Sequence, residues 1–298
     1  MKKITHTLLA LAVIGSVYTV NVTTPSNITT NLLSVASAAV QDNAQRITAD
    51  GYGVAPAGLP MGQAKAMARR AAVLDAQRNL VGEIQGTQID SETTVEMAMV
   101  KSDTIKSKIS GLIKGAHVIA ESIEPDGSYK VTMSVPAYGV GSLAEVAYES
   151  LASEGKISNN PEPPAKPEPA FVKTYTPQSS STYSGLIINA QGYELVSTYS
   201  PRICDTNGRV IYGAKNVNAS YAISNGVVEY TTGAAMAAAA NAGNSRAGAN
   251  PLIIKAVGTT AKLVNKCDVV VSVEDGNKIL MENTRSSFLS QYAVVFQR

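Results

Sequence analysis

Residues 62–86, GQAKAMARRAAVLDAQRNLVGEIQG, constrain the fold of this chain more than any other stretch. No proline interrupts them, and Ala, Arg, Met, Leu, Gln and Lys lose little side-chain freedom in a helix. Pro60 stands just before the run, where a helix starts, and Gly86 is a better stop than Gly82. The larger apolar residues fall on two adjacent rows, Met67, Leu74, Val81 and Val73, Leu80, Ile84. Steps of three, four and seven put both rows on one side of a helix. Ala64, Ala68, Ala71 and Ala72 widen that side and permit close approach to a sheet. The spacing therefore predicts an amphipathic helix whose large apolar rows face a core. Arg69, Arg70, Asp75 and Asn79 read as helix-surface groups pairing with a neighbouring segment, or as a site for an anionic ligand or a partner protein.

The sheet such a helix needs is legible nearby. Residues 47–54 read as a first strand. Residues 116–123 and 128–135 flank Glu124-Pro125-Asp126-Gly127, and Asp-Gly is a strong turn signal. Tyr129, Val131, Met133 and Val135 alternate with polar residues, so one face is covered and the other wet. Residues 87–99 read as extended, 102–112 as a weaker helix and 143–151 as a closing helix. The expectation is α+β, with helices on one side of a small antiparallel sheet, over residues 47–151.

Residues 159–184 change character, with proline first and Ser/Thr after. They read as a stiff, extended linker. A second α+β domain is expected over 185–298. Its strands are read at 186–189, at 252–257, at 267–273, at 293–296 and in a hairpin around Asn207-Gly208. Residues 234–242 are alanine-rich and read as helical. Residues 274–281 read as a helix start or as a turn at Asp275-Gly276.

The first residues read as an export signal. Lys2 and Lys3 precede an apolar run at 8–20 that is short for a membrane span, and Ala36-Ser37-Ala38 fits a cleavage site. Residues 1–38 are thus expected to be a signal peptide, with no lipid anchor because no cysteine lies nearby. An uncleaved anchor is the alternative. The chain carries 25 basic and 23 acidic residues. Two of the bases lie in the leader, which holds no acid, so the remainder is neutral. That argues against nucleic acid, which needs a positive footprint.

Chemistry is sparse. Of two histidines, His6 lies in the leader, leaving His117 in a strand pattern. One histidine excludes a histidine-based zinc site, and nothing resembles a nucleophile elbow or a phosphate-binding loop. Glu83, Asp90, Glu92, Glu96, Asp205, Glu274 and Asp275 are candidates for hydrolysis only by being acidic, without a paired spacing. Tyr193, Tyr199, Tyr212 and Tyr221 would suit a glycan-binding surface or ordinary sheet packing. No catalytic, cofactor-binding or metal-ligating residue is assigned. In an exported protein Cys204 and Cys267 most simply form one disulfide, with two separate buried thiols as the alternative.

The segment 68–80, ARRAAVLDAQRNL, followed by Gly86, resembles the signature of the lipoprotein-20 family. The same module is similar to the N-terminal domain of a periplasmic flagellar assembly protein. Gly115-Ala116 and the stretch 126–131, DGSYKV, continue the likeness, which covers roughly residues 47–140. The second domain loosely resembles the C-terminal region of larger bacterial members, at 184–190, at Pro201 and at 205–212. The resemblance implies helices on a small antiparallel sheet and no catalytic residues to carry over. It also implies a place in the periplasm, outside the cell or at its surface. The expected role is non-enzymatic: an assembly or interaction module of the envelope or flagellum, its partners envelope or flagellar proteins. A cell-wall glycan (peptidoglycan) binder is the alternative and a carboxylate hydrolase a third reading. Partner identity and oligomeric state stay open.

Overall fold

The computed structural model describes residues 9–11, 17–19, 46–177, 180–232, 245–260 and 266–298. The expected signal peptide lies outside these apart from two short antiparallel strands, β1 (Leu9–Leu11) and β2 (Val17–Thr19). The alanine-rich helix expected at 234–242 also lies outside them.

The architecture is α+β. In the N-terminal half, β3 (Arg46–Gly53), β4 (His117–Ile123) and β5 (Tyr129–Pro136) form an antiparallel sheet in the order β3-β5-β4. The helix α1 (Met61–Gly86) lies across β3 and β5. Of the two apolar rows only one, Val73, Leu80 and Ile84, turns toward the core. Ala68, Ala72, Ala76, Leu80 and Ile84 point inward, while Met67 and Leu74 are 46% and 62% exposed. The cause lies on β3. A Cβ on Gly51 would stand 2.0 Å from the Ala76 backbone nitrogen, and one on Gly53 would stand 2.1 Å from the Ala68 carbonyl. Backbone meets backbone there, and only a run of alanines spaced by four fits between. Larger side chains are fully buried only beyond the glycines, at Leu80 and Ile84, with Val73 packed partly against the core.

Three further helices close this half: α2 (Val95–Lys101), α3 (Asp103–Lys114) and α4 (Leu143–Ser153). Their caps come from the sequence directly. Thr94, Ser102 and Ser142 side chains accept the N–H groups of Met97, Ile105 and Glu145. The expectation of an extended segment at 87–99 therefore fails in its second half. Gln88 and Thr94 bridge briefly, then Thr94 starts a helix.

In the C-terminal half, β6 (Gly185–Asn189), β7 (Ile203–Asp205), β8 (Val210–Tyr212), α6 (Ala219–Asn225) and β9 (Glu229–Thr231) come first. The strands β10 (Pro251–Lys255), β11 (Gly258–Thr259), β12 (Val269–Val271) and β13 (Val294–Gln297) complete two sheets. One has the parallel order β10-β6-β13-β9, the other the mixed order β11-β12-β7-β8. Between β12 and β13 runs the helix α7 (Val273–Ser286), capped by Ser272. Asp275-Gly276 is thus the first turn of a helix, where Gly276 sits close under Ile211.

The proline-rich segment contains a one-turn helix, α5 (Pro169–Thr174), and is laid along the C-terminal half. The Glu162 N–H donates to the Lys215 carbonyl at 2.7 Å and the Glu168 N–H to Asn277 Oδ1 at 3.0 Å. The Tyr175 hydroxyl donates to buried Glu282. Buried apolar residues of the two halves join in one continuous core.

The expected Cys204–Cys267 bridge is not formed, and both thiols are free and buried. The register explains this. Cys204 on β7 lies opposite Val270 on parallel β12, so Cys267 sits three residues before that partner. Cys267 precedes β12 itself, so the two cysteines are not cross-strand neighbours, the placement that would bring them to bridging distance. Burial pushes each thiol up to about 11, which keeps it protonated.

Candidate functional site

A cleft of about 340 Å³ opens where the two halves meet. Its N-terminal wall is the tight loop between α1 and α2. There the Ile89 and Asp90 N–H groups both donate to the Thr93 carbonyl, and Asp90 Oδ1 accepts the Glu92 N–H at 2.9 Å. The loop is pinned to the other half by three donors: Ser200 N–H to the Ile89 carbonyl, and Tyr199 N–H and Thr198 Oγ1 to the Gln88 carbonyl. The opposite wall is Val210 with the 3-10 turn Ala214–Asn216. Gly213 precedes that turn, and a Cβ there would stand 3.1 Å from Arg202 Cγ. Its missing side chain leaves room for the arginine stem.

Most charges at the cleft are matched. Lys156 Nζ lies 2.7 Å from Asp90 Oδ2 and 2.7 Å from Glu154 Oε2. Burial works against the Asp90 charge, yet Lys156 and the Glu92 N–H hold its pKa below the ordinary value. Burial likewise opposes the Lys156 charge, and Asp90 and Glu154 reverse it to an upward shift. Arg202 donates from Nε and Nη2 to Asp268 Oδ2, at 3.0 and 2.7 Å, and from Nη2 to Ser91 Oγ at 3.0 Å. The fully buried Asp268 also accepts the Arg202 N–H, and this partner raises the Arg202 pKa despite burial.

Of the seven carboxylates singled out by sequence, the fold brings only Asp90 and Glu92 to this cleft. Glu83 and Glu96 are exposed on α1 and α2, and Glu274 is exposed on α7. Asp205 is buried and closes the hairpin loop, bonding the Asn207 and Arg209 N–H groups and Arg209 Nε. Asp275 takes part in the α7 cap. His117 lies exposed on β4, where its Nε2 accepts from Arg46 Nη1 at 2.7 Å. It borders a more open hollow of about 480 Å³ near the end of α3. Among the described residues no group of three or more His, Cys, Asp or Glu is placed to hold a metal.

The tyrosines do not form a surface row. Tyr199 and Tyr212 are buried, their hydroxyls donating to the Ala137 and Val227 carbonyls. The polar groups of α1 have structural work. Arg69 pairs with Glu121 on β4, while Asp75 accepts the Tyr52 N–H and Asn79 donates to the Asp50 carbonyl. These last two bonds cap the open edge of β3. Lys156, Ser91, Ser200 and Arg202 carried no local signal, because the cleft draws them from three separate segments.

Two family models match the chain, each over less than half of it. Residues 19–135 match the LPP20 lipoprotein family, as the motif at 68–80 suggests. Residues 185–297 match the family described as Treponema pallidum Tp0624, second domain, to which the sequence motifs did not point. Neither description names a flagellar assembly protein, so that likeness rests on the motif alone. No curated protein matches the chain.

Proposed function

We propose that this chain is a non-enzymatic protein of the cell envelope, acting in the periplasm or at the cell surface through contacts with envelope or flagellar proteins. The observation that carries the reading is the LPP20 lipoprotein match over residues 19–135. The site chemistry is in keeping with it. Asp90 has its pKa lowered where a general acid needs one raised, and Lys156 is held protonated between two carboxylates. We read the chain as a leader (1–38), a first domain (47–151), a connecting segment (159–184) and a second domain (185–298). Each family match is confined to one side of the connecting segment, which supports this division.

The test is fractionation of intact cells, N-terminal sequencing of the recovered protein, and crosslinking with mass identification of partners. The expected result is a processed chain in the envelope or periplasmic fraction, crosslinked to envelope proteins. An unprocessed chain confined to the cytosol overturns the reading, as does substrate turnover by purified protein.

A further inference from the structure

We propose that the cleft between the halves binds a small zwitterion of amino-acid or dipeptide size, its carboxylate on Arg202 and its ammonium on Glu92. The cleft volume, about 340 Å³, falls within the range of small-molecule sites, which favour domain junctions. Val210 and Ala214 give it apolar surface. The proposal rests on which polar groups remain unspent after internal pairing. Asp90 is matched by Lys156, and Lys156 also by Glu154. Arg202 uses Nε and Nη2 on Asp268 and Ser91, and its Nη1 makes no hydrogen bond among the described residues. The Glu92 carboxylate and the Ser200 hydroxyl make none there either, their backbone N–H groups alone being bonded.

The cleft therefore presents one guanidinium N–H edge and one hydroxyl as donors and one carboxylate as acceptor, while Lys215 in its lining is paired with Glu162. A purely anionic ligand would meet the unpaired Glu92 carboxylate, and a purely cationic one would leave the Arg202 Nη1 donor unused. A ligand carrying both signs satisfies both ends. Arg202 is fixed before the ligand arrives, since two of its nitrogens and its backbone N–H grip the buried Asp268. Such fixing lowers the ordering cost of binding.

The test is calorimetry on the full chain with alanyl-alanine, compared with its N-acetylated and C-amidated forms. Saturable binding of the dipeptide is expected, about tenfold or more weaker for each capped form, the loss of one charge-assisted hydrogen bond. Glu92→Gln and Val210→Trp are expected to weaken binding to a similar degree. Neither side chain holds another residue in place through a hydrogen bond, so the ligand-free melting temperature should stay unchanged. Arg202 is left intact, because removing it strands Asp268. Absence of saturable dipeptide binding up to about 10 mM, a weak affinity on any scale, overturns the proposal. So does equal affinity for the acetylated form, which marks a simple anion site, or undiminished binding by Glu92→Gln.

Discussion

Glu121, exposed on β4, makes a charged contact across the helix–sheet seam. Arg69 Nη2 lies 2.5 Å from its carboxylate and the Tyr129 hydroxyl donates to it at 2.6 Å. These two bonds, Arg69 first, lower its pKa to about 2 from an ordinary 4.5. A carboxylate with a depressed folded-state pKa stabilises the fold above its unfolded value. That contribution is lost as pH falls from there through the folded value. The window for Glu121 thus runs from about pH 4.5 down to about 2. NMR titration should find the low midpoint in the wild type and a return toward 4.5 in Arg69→Ala; a wild-type midpoint near 4.5 would remove the seam from the account. Gly51 makes the complementary steric case. A Cβ at that position would collide with the Ala76 backbone, which cannot swing away as a side chain can. Gly51→Ala should therefore cost at least about 2 kcal/mol in urea unfolding, in the range of overpacked cores.

At the scale of elements, α1 decides the N-terminal half, and its two faces predict opposite mutational behaviour. Leu80 is fully buried against the core, so Leu80→Ala should cost about 2–5 kcal/mol. Leu74 points to solvent, and Leu74→Ala should change stability by less than about 0.5 kcal/mol. Equal losses at both positions, measured by denaturant unfolding, would mean that the helix is rotated from the position described. This pair also marks where sequence reading reached its limit. The extent of α1 was legible because propensity and flanking Pro and Gly are local. Its buried face was legible at Ala68, Ala72, Leu80 and Ile84, but the exposure of Met67 and Leu74 was not, because that depends on Gly51 and Gly53 of another element, which admit alanine where leucine looks better suited. The same holds for residues 87–99, where Thr94 reads as a strand residue yet serves as a helix cap. The cleft was the least legible feature of all. Asp90 and Glu92 stood out only as acids, and the arginine and serine they face lie more than a hundred positions away in the chain.

At the scale of the whole molecule, the two halves are joined by more than the connecting segment. Tyr199 is the centre of the junction. Its ring meets those of Tyr138 and Tyr148 edge-on, at centroid distances of 5.5 and 5.8 Å. Its carbonyl accepts from the Tyr148 hydroxyl at 2.8 Å, and its own hydroxyl donates to the Ala137 carbonyl at 3.2 Å. Tyr138 and Tyr148 belong to the first half and Tyr199 to the second, so one side chain fastens both. Around it, the Gly139 N–H donates to the Ile223 carbonyl and the Ala219 N–H to the Ser158 carbonyl. Contacts of this kind couple the stabilities of the halves, and the wild type should unfold in one transition. Amide protection in β5 and β13 should then vanish at the same urea concentration, coincidence of separate probes being the mark of a single cooperative unit. Tyr199→Ala removes the ring and its hydroxyl's bond to Ala137, leaving the backbone carbonyl to Tyr148, at about 3–5 kcal/mol for a buried aromatic, with the loss falling at the junction. In that variant the two strands should lose protection at different urea concentrations, the two halves now melting as separate units. Separate transitions already in the wild type would show that the shared core does not couple the halves. Simultaneous loss in the variant would place the coupling in the backbone bonds around the tyrosines.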